Sequence, residues 1–74
     1  MAPLPTVSGK EAVKALKNAG YEFSHQRGSH MILRYAEEPY RRISVPDHKE
    51  LRKGLLRAII RDAGLTVDQF RDLL

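Results

Sequence analysis

The chain has 74 residues, which is the length of one domain and leaves no room for a second domain or a deep active-site cavity. With 42% hydrophobic and 30% charged residues it has enough apolar material to fold, and its composition differs from that of a disordered protein. The lack of cysteine excludes disulfides, thiolate metal sites and a cysteine nucleophile, while 13 Lys and Arg against 9 Asp and Glu give a net charge of +4 that favours polyanionic partners.

A capping-box pattern opens the first predicted helix. Ser8 precedes the helix, Glu11 follows three positions later, and Gly20 is a typical residue after a helix end, so the pattern predicts a helix over residues 9–19. One face of this helix is apolar and consists of Ala12, Ala15, Leu16 and Ala19. The opposite face carries a stripe of lysines, Lys10, Lys14 and Lys17. These lysines are either solvated or in contact with an anion.

A strand, a turn and a second strand follow. Residues 21–26 alternate as a half-buried strand does, with one face formed by Tyr21, Phe23 and His25. Residues 27–29, Arg-Gly-Ser, supply the turn, and residues 30–35 form the second strand.

A second turn is predicted at residues 37–39, and a third strand at residues 41–45, which Pro46 ends. Because the connections are short, the three strands are expected to pair as an antiparallel meander.

The C-terminal part is predicted to be helical. Asp47 and Glu50 form a possible cap, after which apolar residues recur at helical spacing up to Gly64. Thr66 with Gln69 makes a further capping box for a short closing helix over residues 67–74.

The predicted element order is therefore α-β-β-β-α-α. Three strands need a helix layer to bury one face of their sheet. We expect a two-layer α+β fold, with a three-stranded antiparallel sheet packed against helices, in a single domain over residues 1–74.

Three histidines are candidates for chemistry. His30 follows a Gly28-Ser29 turn that lets a ligand approach closely, so its imidazole is either catalytic or simply a surface group on a hairpin. His48 lies just before a helix, where it either packs in the loop or contacts phosphate as a second functional group. His25 is expected to be a partly buried structural residue. No repeated carboxylate or His-Glu pattern suggests a metal site.

Several short motifs together resemble the HicA-type toxins, which are small mRNA interferases of toxin-antitoxin pairs. In chain order they are Ser8-Gly9-Lys10-Glu11, Ala19-Gly20-Tyr21, Gly28-Ser29-His30, Val45-Pro46-Asp47-His48, Gly54-Leu55-Leu56-Arg57-Ala58-Ile59-Ile60 and Ala63-Gly64-Leu65. Each motif is weak alone, but their order and spacing make a specific match over nearly the whole chain. Two departures are Met31, where relatives often have a second histidine or another residue, and Leu55, where Thr is common.

The resemblance implies a fold like the double-stranded-RNA-binding domain and a metal-independent endoribonuclease without a cofactor, in which His30 is catalytic. It also implies an mRNA substrate and a HicB-like antitoxin partner. The residues expected to contact RNA are Lys10, Lys14, Lys17, Arg27, Gly28, Ser29, Arg34 and His48. Since no window approaches the ~20 apolar residues of a membrane span and residues 1–5 lack a signal-peptide pattern, we expect the protein to act in the cytoplasm.

Two other functions fit parts of the sequence. A non-catalytic RNA-binding module of the same fold would keep the lysines but would not need His30. Residues 59–74 also superficially resemble a DNA-binding helix-turn-helix. However, the second helix of that motif would present Asp68 and Asp72 with only Arg71 for balance, which would repel phosphates.

Overall fold

A computed structural model describes residues 3–37 and 41–74. Along the chain the elements are α1 (Gly9–Asn18), β1 (Tyr21–Arg27), β2 (His30–Tyr35), β3 (Arg42–Pro46), α2 (Lys53–Asp62) and α3 (Val67–Leu73). The predicted order and the α+β class are confirmed, and the arrangement is that of the double-stranded-RNA-binding-domain-like fold. Of the turn predicted at residues 37–39, only residue 37 lies within the described residues.

Helix α1 begins at Gly9, as predicted, and ends at Asn18, one residue before the predicted end. The Ser8 hydroxyl accepts a hydrogen bond from the Glu11 backbone N–H at 3.1 Å, and the Glu11 carboxylate accepts one from the Ser8 N–H at 2.9 Å. This reciprocal pair satisfies two backbone donors that a helix start otherwise leaves free. Gly20, at φ 105°, then turns the chain into β1. Of the predicted apolar face, Ala12, Ala15 and Leu16 are buried and Ala19 is partly buried, and Val13 joins them in the core.

The three strands form an antiparallel sheet in the order β1-β2-β3, as the meander predicts. The helices cover one face of the sheet. On that face the main core includes Met31 and Leu33 of β2 with Ile43 and Val45 of β3, packed against α1 and α2. Phe70 of α3 is fully buried and closes the core at the C-terminal end.

The predicted alternation of β1 is wrong. Only Tyr21 is buried in this strand, while Phe23 is 45% exposed and His25 is also exposed, so His25 is not a partly buried structural residue. For His25 the cause is a bulge between Phe23 and His25, because Phe23 pairs with Leu33 but His25 pairs with Ile32. Phe23 precedes the bulge and pairs with a core residue, so it stays on the helix side of the sheet, although it is not buried there. The extra residue, Ser24, shifts the side chains that follow it to the other face of the sheet.

The predicted cap at Asp47 and Glu50 is also wrong. Helix α2 begins at Lys53, and its N-cap residue, Arg52, makes no side-chain capping bond. The backbone of the preceding segment is held by tertiary hydrogen bonds instead. The Asp47 N–H donates to the Ser29 carbonyl at 2.7 Å, and the Leu51 N–H donates to the Val7 carbonyl at 2.8 Å. These bonds hold residues 47–51 in a non-helical connection.

Helix α3 has the predicted capping box. The Gln69 backbone N–H donates to the Thr66 hydroxyl at 3.1 Å, and the Thr66 N–H donates to the Gln69 side-chain oxygen at 2.9 Å. Among residues 3–37 and 41–74, no helix is both long and apolar enough to cross a membrane.

Candidate functional site

The tip of the first hairpin is open. Strands β1 and β2 are joined by the two residues Gly28 and Ser29, and Gly28 has φ 60°, a conformation that glycine adopts without strain. A Cβ built on Gly28 would meet no heavy atom within 4 Å. A bulky ligand can therefore approach the backbone closely at this turn.

His30 begins β2 beside this turn. In the strand register it lies opposite Arg27 of β1 on one side and Pro46 of β3 on the other. Its side chain is exposed, and within the described part of the chain no hydrogen bond engages its ring. Both ring nitrogens are thus accessible to a ligand, with one cation, Arg27, on the neighbouring strand.

Backbone hydrogen bonds bring the segment after β3 and the first turn of α1 to the end of the sheet that carries the Gly28-Ser29 turn. Besides the bond from Asp47 to Ser29, the Gly9 N–H donates to the His48 carbonyl at 2.8 Å. A Cβ on Gly9 would overlap the carbonyl oxygen of Pro46, so only glycine permits this contact. The first turn of α1 and the exposed His48 therefore lie at the same end of the fold as the Gly28-Ser29 turn.

Five of the eight predicted RNA contacts fall on two different surfaces. The first is the lysine stripe, formed by Lys10, Lys14 and Lys17, all of which are exposed on α1. It starts at the end of α1 that contacts Pro46 and runs away from it. At its far end the Lys17 ammonium lies 5.9 Å from the centre of the Phe23 ring, within cation-π range.

The second surface is the face of the sheet turned away from the helices, which we call the outer sheet face. Because side chains alternate along a strand, the residues between the core positions of β2 and β3 point to this side, and paired residues share a face. By the strand register its members are Glu22, His25, Arg27, His30, Ile32, Arg34, Arg42 and Ser44. Ile32 is only 6% exposed but lies outside the main core, as expected for this face.

The structure therefore groups Arg27, Gly28, Ser29, His30 and His48 at one end of the sheet, with Lys10 on the adjoining turn of α1. It separates them from Lys14 and Lys17, which continue along the helix layer. Arg34 lies on the outer sheet face but at the opposite end of β2.

Arg42 was not singled out from the sequence. In β3 this arginine pairs directly with Arg34 of β2. The predicted strands contain both residues, but no local pattern in the sequence specifies that they pair with each other.

An open groove of about 670 Å³ lies at this far end and is lined by Glu22, Phe23, Ser24, Arg34, Tyr35, Ala36 and Arg42. Across residues 3–37 and 41–74, no cluster of three or more His, Cys, Asp or Glu side chains is positioned to hold a metal ion.

Comparison with protein families gives a match to the HicA toxin of bacterial toxin-antitoxin systems over residues 9–65. This range covers 57 of the 74 residues and includes every element from α1 to α2, together with His30 and His48. No curated protein matches the sequence.

Proposed function

We propose that this chain, which belongs to the HicA toxin family of bacterial toxin-antitoxin systems, is an endoribonuclease that cleaves mRNA without a metal ion and uses His30 as its general base. The observation that carries the proposal is the exposed imidazole of His30 beside the open Gly28-Ser29 turn. We further propose that the toxin acts in the cytoplasm, where its mRNA substrate is found.

The chemistry needs few protein groups, because RNA carries its own nucleophile. His30, in its neutral form, removes the proton from a ribose 2'-hydroxyl, and the resulting oxygen attacks the adjacent phosphorus. The bond from phosphorus to the 5'-oxygen of the next nucleotide breaks, and that oxygen takes a proton from His48 or from water. The products are a 2',3'-cyclic phosphate and a free 5'-hydroxyl. A well-positioned base contributes ~10²- to 10⁴-fold to the rate of such a reaction.

The groups around His30 suit a phosphate that gains charge during this reaction. Arg27 lies on the strand position directly opposite His30, and the Gly28-Ser29 turn offers backbone close to the same point. Lys10 lies on the adjoining turn of α1. In this proposal these groups hold the scissile phosphate, while Lys14, Lys17 and Arg34 contact phosphates farther along the strand.

The length and burial of α3 argue against its use as a DNA-recognition helix. This helix has only seven residues, and its large apolar side chain, Phe70, is fully buried in the core. The exposed side of α3 includes the carboxylates Asp68 and Asp72, which repel a phosphate backbone. RNA binding without catalysis is the closer alternative, since it would use the same cations.

The test of the reaction uses an RNA oligonucleotide with a single 2'-deoxy nucleotide at the cleavage site. We expect the purified protein to cut the all-ribose oligonucleotide in EDTA, to leave a 2',3'-cyclic or 3'-phosphate end, and to leave the substituted oligonucleotide intact. Strict dependence on Mg²⁺, or cleavage at the 2'-deoxy position, would contradict the mechanism. RNA binding with no cleavage would favour the non-catalytic module.

Family membership implies an antitoxin partner, and we propose a HicB-like protein that covers the site around His30. An interface of standard size buries ~800 Å² per partner, about one sixth of the 5012 Å² surface of the described residues. A complementary and acidic antitoxin surface laid over the cations would exclude RNA from the imidazole.

Competition between RNA and the antitoxin tests this occlusion. The inactive His30→Ala variant is mixed with labelled RNA and saturating antitoxin. We expect the antitoxin to displace the RNA. A stable ternary complex, with RNA bound at its normal affinity, would overturn occlusion.

A further inference from the structure

The far end of the outer sheet face carries an unusual pair of like charges. Arg34 of β2 and Arg42 of β3 are direct cross-strand partners, and both are exposed. Like charges directly opposite each other destabilise a sheet. Within the described residues, neither guanidinium has a carboxylate within 4.0 Å. An anion bound between the two side chains would remove the repulsion.

The two arginines line the 670 Å³ groove, which has room for a phosphate group. Glu22 is the one carboxylate among its described lining residues, so two guanidinium groups outweigh one carboxylate and the groove favours an anion. Packing does not require either arginine, because the core of β2 and β3 lies on the other face.

The position of the groove relative to His30 suggests which anion binds there. Arg34 is four residues from His30 on the same strand and the same face, a distance of about 13 Å at the rise of a β-strand. This distance exceeds the spacing of neighbouring phosphates, so groups at the two ends contact different nucleotides. Arg27 lies beside His30, and its guanidinium extends the positive charge along the same face.

We propose that the groove between Arg34 and Arg42 is a subsite for a phosphate of the single-stranded RNA substrate, at least one nucleotide away from the phosphate that is cut. The inference rests on the proposed ribonuclease function and extends it with a residue, Arg42, and a path for the strand across the outer sheet face. Glu22 limits the charge of the subsite, so its removal strengthens binding.

The test measures binding of a labelled 12-nucleotide RNA in the His30→Ala background by fluorescence anisotropy across a range of salt concentrations. The logarithm of the RNA binding constant falls linearly with the logarithm of the salt concentration. Arg42→Gln is expected to make this slope less steep by about 0.7, and the double variant Arg34→Gln/Arg42→Gln by about 1.4. These are the single-strand values for one and two lost phosphate contacts. The Kd should rise by roughly 3- to 10-fold for each change.

Two variants serve as controls. Arg71→Gln removes one positive charge from the exposed side of α3 and should leave the slope unchanged, whereas Glu22→Gln should tighten binding. The melting temperature of Arg42→Gln should be equal to or higher than that of the parent, since a repulsive pair is lost.

Unchanged slope and Kd in the Arg34/Arg42 variant, with RNA still bound by the parent, would overturn the subsite while leaving the proposed function intact. Loss of antitoxin binding without loss of RNA binding would also overturn it and assign the groove to a protein partner. A parent that binds no RNA would instead overturn the proposed function, and the subsite with it.

Discussion

Replacing Gly9 with Ala tests how the candidate site is assembled. Gly9 is buried in the first turn of α1, and a Cβ there would overlap the Pro46 carbonyl oxygen and lie 3.2 Å from the Asp47 Cα. Both neighbours are backbone atoms, which cannot rotate away as a side-chain tip can. The helix start must therefore move away from residues 46–48, and the bond from the Gly9 N–H to the His48 carbonyl must lengthen or break.

The expected cost combines an overpacking term of roughly 1–3 kcal/mol with about 1 kcal/mol for the hydrogen bond. The higher helix propensity of alanine offsets about 1 kcal/mol, so the free energy of unfolding should fall by about 1–3 kcal/mol. A chain of 74 residues has a total of roughly 4–11 kcal/mol at typical values, so this loss is large.

The assay is urea unfolding followed by circular dichroism, with Gly54→Ala as the matched control. Gly54 also lies in the first turn of a helix, but its Cβ would enter open space, so this variant should gain up to about 1 kcal/mol. With an m-value of about 1 kcal/mol/M, the urea midpoint should fall by about 1–3 M for Gly9→Ala and rise by up to about 1 M for Gly54→Ala. A Gly9→Ala protein as stable as the parent would refute the close contact.

Two further predictions concern stability. The buried Tyr21 hydroxyl donates to the Ala63 carbonyl at 3.1 Å, and burial raises the Tyr21 pKa above 10.0 although Arg41 opposes the shift. The folded protein therefore holds the Tyr21 hydroxyl proton up to a higher pH than the unfolded chain does. The stability that this difference in pKa contributes is complete below pH 10 and is lost as the pH rises through the raised pKa of the folded state. Tyr21→Phe should lower the free energy of unfolding by about 1 kcal/mol at pH 7. Above pH 10 the difference in unfolding free energy between this variant and the parent should become smaller in denaturant titrations. A difference that stays constant with pH would contradict the raised pKa. Thr66→Ala removes the hydroxyl cap of α3 and should lower the unfolding free energy by about 1 kcal/mol with no change in m-value, whereas an unchanged urea midpoint would mean that the cap contributes nothing.

The parts of the fold that follow local rules were predictable from the sequence. The capping boxes at Ser8 and Thr66 depend on side chains only three residues apart, and both form. Two features depend on distant partners and were missed. The bulge that turns His25 outward depends on pairing with β2, and the late start of α2 depends on backbone bonds to Ser29 and Val7.

The candidate site was predicted in part for the same reason. The Gly28-Ser29-His30 motif is local, and the open turn beside an exposed histidine could be expected from it. The pairing of Arg34 with Arg42 and the approach of Gly9 to Pro46 are tertiary contacts between strands and between a helix and a strand. No pattern of residue spacing in the sequence predicts these two contacts.

The most direct test of the central claim compares His30→Ala with His25→Ala in one RNA cleavage assay. Both histidines are exposed on the outer sheet face, and the hydrogen bond that the His25 ring makes within the described residues is with the neighbouring Ser24 hydroxyl at 3.0 Å, so each variant should fold normally. We expect the single-turnover rate in EDTA to fall by ~10²- to 10⁴-fold for His30→Ala and to stay near the parent value for His25→Ala. Cleavage at the parent rate by a folded His30→Ala protein would contradict the assignment of His30 as the general base.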